Sequence, residues 1–422
     1  MDTTYDRILD RVMDLQIVDT HEHLPYREDA REKNTDVLKE WLQHYFSRDL
    51  ISAGLPLKDY PKVLDHGRPL MERWDLVEPY WQAARHTGYG RSLAACARDL
   101  YGVPCINRST ISRLDDEFQK SLAPGHFRRV LKEKGRIAVS ILDSNLDCDR
   151  TWFRSTGNVG PLVRPRSCTE LNAVAAEAGM TVTCLDEWLE ACVRAARRYV
   201  ERGAVCFKDS LAYVRPLAYE RHTRAEAEIA FNRFLADLHA ADGETLGAIP
   251  GIAMQDFTMH WLLAEANRRG WAWQVHTGLL EGSGNLLANA DPLRLCNLFL
   301  DYPHVRFDLF HIGYPWQHQV SALAKMFPNV TIDMCWAHII SPTACVDALA
   351  EWVDTVPLNK ISAFGGDYCF IDGVYGHQLM ARQNVSAALA RKVNEGVLGL
   401  DDANEAARML FVDNPRRLFG LS

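Results

Sequence analysis

Hydrophobic residues in this chain follow two rhythms, and the rhythms divide it unevenly. From about residue 136 onward, short runs rich in β-branched and aromatic residues alternate with longer stretches whose apolar positions recur every three or four residues. The short runs predict strands at 136–142, 156–163, 204–208, 271–276, 306–311, 330–334 and 361–365, and an apolar run at 16–20 adds one near the start. Between them, 185–201 sets Leu185, Trp188, Leu189, Cys192, Val193 and Ala196 on one helical face, and 225–240 repeats the pattern. Strands that alternate with helices pair in parallel, because a helical crossover brings the chain back to the same end of the sheet. Eight of them close into a barrel, so the pattern predicts an α/β fold of the (β/α)8 (TIM barrel) type.

Residues 25–135 break the rhythm. They read as helices at 35–47, 61–87 and 91–101 with no strand between them, which predicts an α-helical insertion after the first strand, serving as a lid. The barrel then consists of 1–24 and 136–422. Near its end, Asn414-Pro415 followed by Arg416-Arg417-Leu418-Phe419 predicts a last helix docking on the barrel.

The 422 residues, 47% of them hydrophobic, suffice for one large core. A formal net charge of -8 and the lack of a long basic run argue against a nucleic-acid or membrane partner and leave a small molecule. No run reaches the roughly 18 apolar residues of a membrane span, and the first residues lack a basic-then-apolar leader, so a cytoplasmic protein is expected, with a homo-oligomer left open. Eleven cysteines with no C-x-x-C pair suggest buried reduced thiols rather than disulfides or a zinc knuckle.

Candidate chemistry gathers where the predicted strands end. His21 and His23 stand two apart at the end of an apolar run, and alternate residues of extended chain share a face, so both imidazoles can aim at one point. His276 and His311 end two later strands, each followed two residues on by a glycine suited to a sharp turn, and Asp367 follows the eighth. Singly, each of these is compatible with a core or capping role; together they fall at the C-terminal mouth, where barrel active sites sit. His21, His23, His276 and Asp367 suffice for one divalent cation, zinc or alternatively manganese, with Asp367 also able to move a proton. His311 is a second-metal ligand or a group that polarises the substrate, so one or two ions are expected.

In order and strand placement these residues resemble the amidohydrolase superfamily: H-x-H after strand one, often a lysine after strand four, histidines after strands five and six, an aspartate after strand eight. His21, His23, Lys208, His276, His311 and Asp367 stand at the matching positions. The stretch 271–421 is similar to the branch holding uronate isomerases and the amidohydrolase-like domain fused to glutamine-synthetase-type proteins, through HTGLLEGSGN, HIGYPW, FPNVTIDMCW and FGGDY. Uronate isomerases generally do not use the strand-five and strand-six histidines as ligands, so the resemblance favours hydrolysis over isomerisation here.

Lys208 has three readings. By the resemblance to two-metal members of the superfamily it is carboxylated and bridges two cations; alternatively it stays cationic and binds a substrate carboxylate, or it pairs with Asp209. In the second reading Tyr213 and Arg215, two apart before a proline that favours extended chain, share a face and assist it. Trp316 and Trp336 are candidates for the pocket wall, Glu22 for a structural role on the opposite face, and Arg73, Trp74, Trp81 and Arg85 for lid contacts. The leading expectation is a metal-dependent hydrolase of a small carboxylate-bearing amide, lactone or ester. The alternative is a uronate isomerase or a metal-dependent decarboxylase or lyase using the same site.

Overall fold

Eight parallel strands in sequential order surround the centre of the molecule in a computed structural model that describes residues 3–240 and 249–421. They are β1 (Ile17–Glu22), β2 (Ile137–Leu142), β3 (Phe153–Asn158), β4 (Ala204–Asp209), β5 (Ala272–Val275), β6 (Arg306–Leu309), β7 (Val330–Asp333) and β8 (Ile361–Ser362). Each pairs with the next, and backbone hydrogen bonds complete the seam between the chain after β8 and β1. Thr20 N–H donates to Phe364 O at 3.0 Å, Asp367 N–H to His21 O at 2.8 Å, and His23 N–H to Tyr368 O at 3.1 Å. The barrel expected from the sequence is therefore present, and Gln274 on β5 crosses its interior to donate to Thr20 O at 3.0 Å. Leu418 and Phe419, from the helix Asn414–Phe419, pack with Ile141, Cys206 and Ala272.

The third strand lies earlier than the sequence suggests. Residues 153–158 form it, and Gly160–Val163 is a helical turn in which Pro161 occupies an early position that needs no N–H. The apolar run Val159, Leu162, Val163 thus belongs to a helix packed inward, not to a strand.

Between β1 and β2 the chain is helical throughout its regular elements, but in shorter pieces than the periodicity implies. Val37–Leu42 and Phe46–Ser52 replace one helix at 35–47, and Tyr60–Leu64 and Leu70–Ala84 replace one at 61–87, where Gly67 and Pro69 interrupt it. Gly88–Tyr101 follows, and a further helix, Ile111–Ser121, went unrecognised in the sequence.

One buried carboxylate ties these pieces to the barrel. Asp372, at the start of the long helix Ile371–Asn394, accepts from His126 Nε2 at 2.6 Å, Tyr101 OH at 2.7 Å and Trp41 Nε1 at 3.0 Å. Lower on the same helix, Arg382 donates to Val12 O, to Leu15 O at 3.2 Å and to Gly135 O at 2.8 Å, joining the N-terminal helix Thr4–Asp14 to the end of the insertion. Arg73, Trp74 and Trp81 are buried within the insertion, where Arg73 pairs with Asp36, so they make its core instead of reaching toward a ligand. Among the described residues no helix is long and apolar enough to cross a membrane.

Candidate active site

The C-terminal ends of the strands surround a cavity of about 410 Å³. His23, Asp143, Lys208, Ser210, Tyr213, His276 and Asp367 line it from the barrel, and His44 and Tyr45 from the insertion. At its floor Asp367 Oδ1 lies 3.1 Å from His23 Nε2 and 3.7 Å from His21 Nε2, while Oδ2 lies 3.9 Å from His311 Nε2. Four of the predicted residues thus meet at one carboxylate. His276 meets them through His311: its Nδ1 is 3.2 Å from His311 Nε2.

Tautomers follow from the outer partners. His311 Nδ1 lies 2.9 Å from Cys335 O and His276 Nε2 lies 2.9 Å from Leu279 O; a carbonyl only accepts, so both outer nitrogens carry the proton. Burial holds both rings neutral, lowering His311 to about 4 and His276 well below the usual histidine range. Two bare lone pairs therefore face each other at 3.2 Å. His21 is fully buried and neither of its ring nitrogens has a hydrogen-bond partner among the described residues. Burial and the nearby Lys208 charge push it down to about 3. Unpartnered buried imidazole nitrogens beside a carboxylate are costly unless something electropositive joins them. Burial opposes charge on Asp367 too, but the hydrogen bond and the charge of His23, itself raised by Asp367, hold its carboxyl well below the usual range. A divalent cation fits this donor set of imidazoles and a carboxylate.

Backbone strain collects at the same place. Outside glycine, positive φ occurs among the described residues at His311 (64°), Ile312 (51°), Trp336 (58°) and Asp367 (57°), all at strand ends around the site, and at Arg136 and Ser144. Such conformations cost on the order of 1–3 kcal/mol each and persist only where neighbours enforce them. At Asp367 the enforcement is visible. Its N–H donates to His21 O, and its carbonyl accepts from Tyr45 OH at 2.6 Å. On either side, Gly366 N–H donates to Asp19 Oδ1 at 3.0 Å and Tyr368 N–H to Glu22 Oε2 at 2.8 Å. Tyr45 is itself stacked on Trp336 at 4.5 Å.

The amidohydrolase family model matches residues 169–421, more than half of the chain. The chain belongs to the amidohydrolase family. Among solved structures, this amidohydrolase is similar along 99% of its length to the uronate isomerase of Thermotoga maritima, which it covers to 97% (TM-score 0.78, 16% identity). The glucuronate isomerase of Caulobacter crescentus is covered to 94% by 99% of this chain (TM-score 0.77, 19% identity). At these identities the likeness is one of fold. The FluG protein of Emericella nidulans is 28% identical over 150 residues, a stretch that spans 35% of this chain and 17% of FluG.

The remaining predicted residues divide. Lys208 is almost fully buried, faces the cavity, lies 3.3 Å from Ser210 Oγ and sits 4.7 Å over the Phe310 ring. Among the described residues no carboxylate lies within 4.0 Å of it; Asp209 instead accepts from Tyr219 OH at 2.9 Å and Leu211 N–H at 2.9 Å, so the pairing with Asp209 is absent. Tyr213 lines the cavity, edge-on to His276 at 4.7 Å. Arg215 does not join it. Residues 211–213 form a 3₁₀ turn, in which positions two apart no longer share a face, and Arg215 is buried against Asp256 at 2.5 Å and over the Tyr219 ring. Neither Trp316 nor Trp336 is among the residues lining the cavity; Trp336 is buried behind it, edge-on to His311 at 5.1 Å. Glu22 is structural as expected, gripping the chain beside Asp367.

Asp143, His44, Tyr45 and Glu281 were not singled out from the sequence. Asp143 follows β2 as Asp367 follows β8, lies 3.7 Å from His23 Nδ1, and groups with His21 and His23 as ligand atoms within 4.8 Å of one another. A polar residue closing an apolar run was its available signal. His44 and Tyr45 sit at a break between two helices, and nothing local marks that break as facing the barrel.

Proposed function

We propose that this amidohydrolase is a metal-dependent hydrolase of a small carboxylate-bearing amide, lactone or ester. The observation that carries the reading is Lys208, a buried side chain facing the cavity beside a carboxylate-imidazole cluster, with no carboxylate partner among the described residues. An unpaired buried ammonium is costly, and a ligand carboxylate would satisfy it. His21, His23, His276 and Asp367 would hold the cation, zinc or manganese, with His311 and Asp143 beside them. When bound, the cation supplies a Lewis acid that polarises the scissile carbonyl and makes water nucleophilic near neutral pH. Lys208, with Ser210, orients the substrate's acid group, and Tyr213 walls the same side. Asp367 takes the proton from the attacking water and returns it to the leaving nitrogen or oxygen. The helices of 25–135 act as a lid, bringing His44 and Tyr45 over the site and keeping bulk water from it.

Uronate isomerisation, or metal-dependent decarboxylation, is the second reading. Two sugar-acid isomerase structures matching 99% of the chain, helical insertion included, favour keeping it. A mixed panel of uronates, N-acyl acids and lactones, turned over in ¹⁸O-labelled water, separates the two, since only hydrolysis places solvent oxygen in a newly formed carboxylate, while the carbonyl oxygens of sugar acids exchange with water on their own. The expected result is label in the new carboxylate, and a fall of at least about 100-fold in turnover for His21→Ala combined with His23→Ala. Full turnover by the metal-stripped protein would sink both readings.

A further inference from the structure

We propose that Cys335 is a metal-ligating thiol that, with His311 and Asp367, forms a second cation site in this chain. The inference rests on the metal-enzyme reading above and adds a sulfur ligand from the end of β7. Three observations converge on it. First, a ligand atom from each of Cys335, His311 and Asp367 lies within 4.8 Å of the other two, all three residues being buried. Second, the bare nitrogens of His276 and His311 face each other beside this group, an arrangement that a cation taking the His311 lone pair would relieve. Third, the chain around Cys335 is built to hold its sulfur in place. The Cys335 N–H donates to Asp333 Oδ1 at 2.8 Å, its carbonyl accepts from His311 Nδ1–H at 2.9 Å, and Trp336 immediately after it has a left-handed backbone. A Cβ at residue 365 would lie 2.7 Å from Cys335 Sγ, so Gly365 is what leaves room for the thiol.

The chemistry selects the cation. Thiolate and imidazole together suit zinc, and cobalt as its stand-in, over calcium or magnesium, which prefer oxygen ligands. Binding would form the sulfur–metal bond and release the thiol proton to solvent, with no change in oxidation state. His21, His23 and Asp143 form the neighbouring ligand group, leaving the two sites to share the ground around Asp367.

The test is the cobalt-loaded full-length protein. The wild type is expected to show a thiolate-to-cobalt charge-transfer band in the near ultraviolet and to bind two equivalents. Cys335→Ser should lose the band and one equivalent, while Cys369→Ser, which removes the thiol that lines the cavity, should retain both. X-ray absorption at the zinc edge of unmodified protein guards against a misfolded variant, and should show a sulfur scatterer at about 2.3 Å. Cobalt bound with no sulfur band, a band that survives Cys335→Ser, or a zinc shell of nitrogen and oxygen alone would each overturn the Cys335 site while leaving the metal-enzyme reading standing. Failure of the wild type to bind cobalt at all would remove both.

Discussion

At the scale of single residues, the site depends on side chains that never reach a ligand. Asp367 stands in a left-handed conformation because Asp19 and Glu22 grip the amides on either side of it and Tyr45 holds its carbonyl. Gly366 is the tight point, since a Cβ there would lie 1.8 Å from Glu22 Oε1. Gly366→Ala must therefore push the Glu22 carboxyl away and release Tyr368 N–H, and it should weaken cation binding roughly 10- to 100-fold, as loss of supporting hydrogen bonds does elsewhere. Burial and the adjacent Asp19 raise the Glu22 carboxyl well above its usual range, and Glu22→Gln keeps its size and an oxygen for Tyr368 N–H to reach. That variant should bind the cation within a few-fold of wild type. Competition with a chromogenic chelator measures both, and equal affinity for Gly366→Ala and wild type would dismiss the clamp. The ligands were legible in the sequence because each closes an apolar run. The clamp was not, because Asp19, Glu22 and Tyr45 find their partners more than 320 residues away in the chain, and no local period records that.

At the scale of elements, periodicity identified β1, β2 and β4 to β8 because buried parallel strands are continuous apolar runs bounded by helices. It misplaced β3, where the polar Ser155-Thr156-Gly157-Asn158 carries little apolar signal and the apolar residues belong to the following turn. The insertion was legible as helical but not in its breaks, which tertiary contacts decide. Those contacts converge on Asp372, whose three donors come from separate stretches of the insertion. Burial alone would raise this carboxyl, but the His126 interaction, with Arg31 and Tyr101, outweighs it and lowers it to about 2. A depressed carboxylate pKa stabilises the fold fully above the unfolded value, near about 3.9, and the contribution is lost as pH falls from there toward the folded value. Chemical denaturation should show an acid limb between these two values that is flattened in Asp372→Asn. Asp372→Ala leaves three buried donors unmatched and should cost roughly 3–5 kcal/mol at neutral pH, detaching the insertion first. An unchanged acid limb in Asp372→Asn would show that the anchor lies elsewhere.

For the whole molecule, the cation site and the barrel's weakest join coincide. β8 contributes only two residues to the sheet, and the seam to β1 is completed by Thr20, His23 and Asp367 donating across it. Two of those three residues are proposed ligands, and His21 supplies the carbonyl that Asp367 N–H reaches. A cation held by His21, His23 and Asp367 would therefore link the first strand to the last, over some 340 residues of chain, and bind the folded state alone. At a free concentration 100 times its Kd, such a ligand stabilises the folded state by about 2.7 kcal/mol. Zinc or manganese should raise Tm and a chelator lower it, and His21→Ala with His23→Ala should abolish the difference. Hydrogen exchange locates the effect. Local opening at the seam exposes the amides of Thr20, His23 and Asp367 together, so these should slow on metal addition, while amides joining β3 to β4, which no ligand touches except through Lys208, should not. Protection spread evenly around the barrel would mean that the cation stabilises the fold globally, without closing this join.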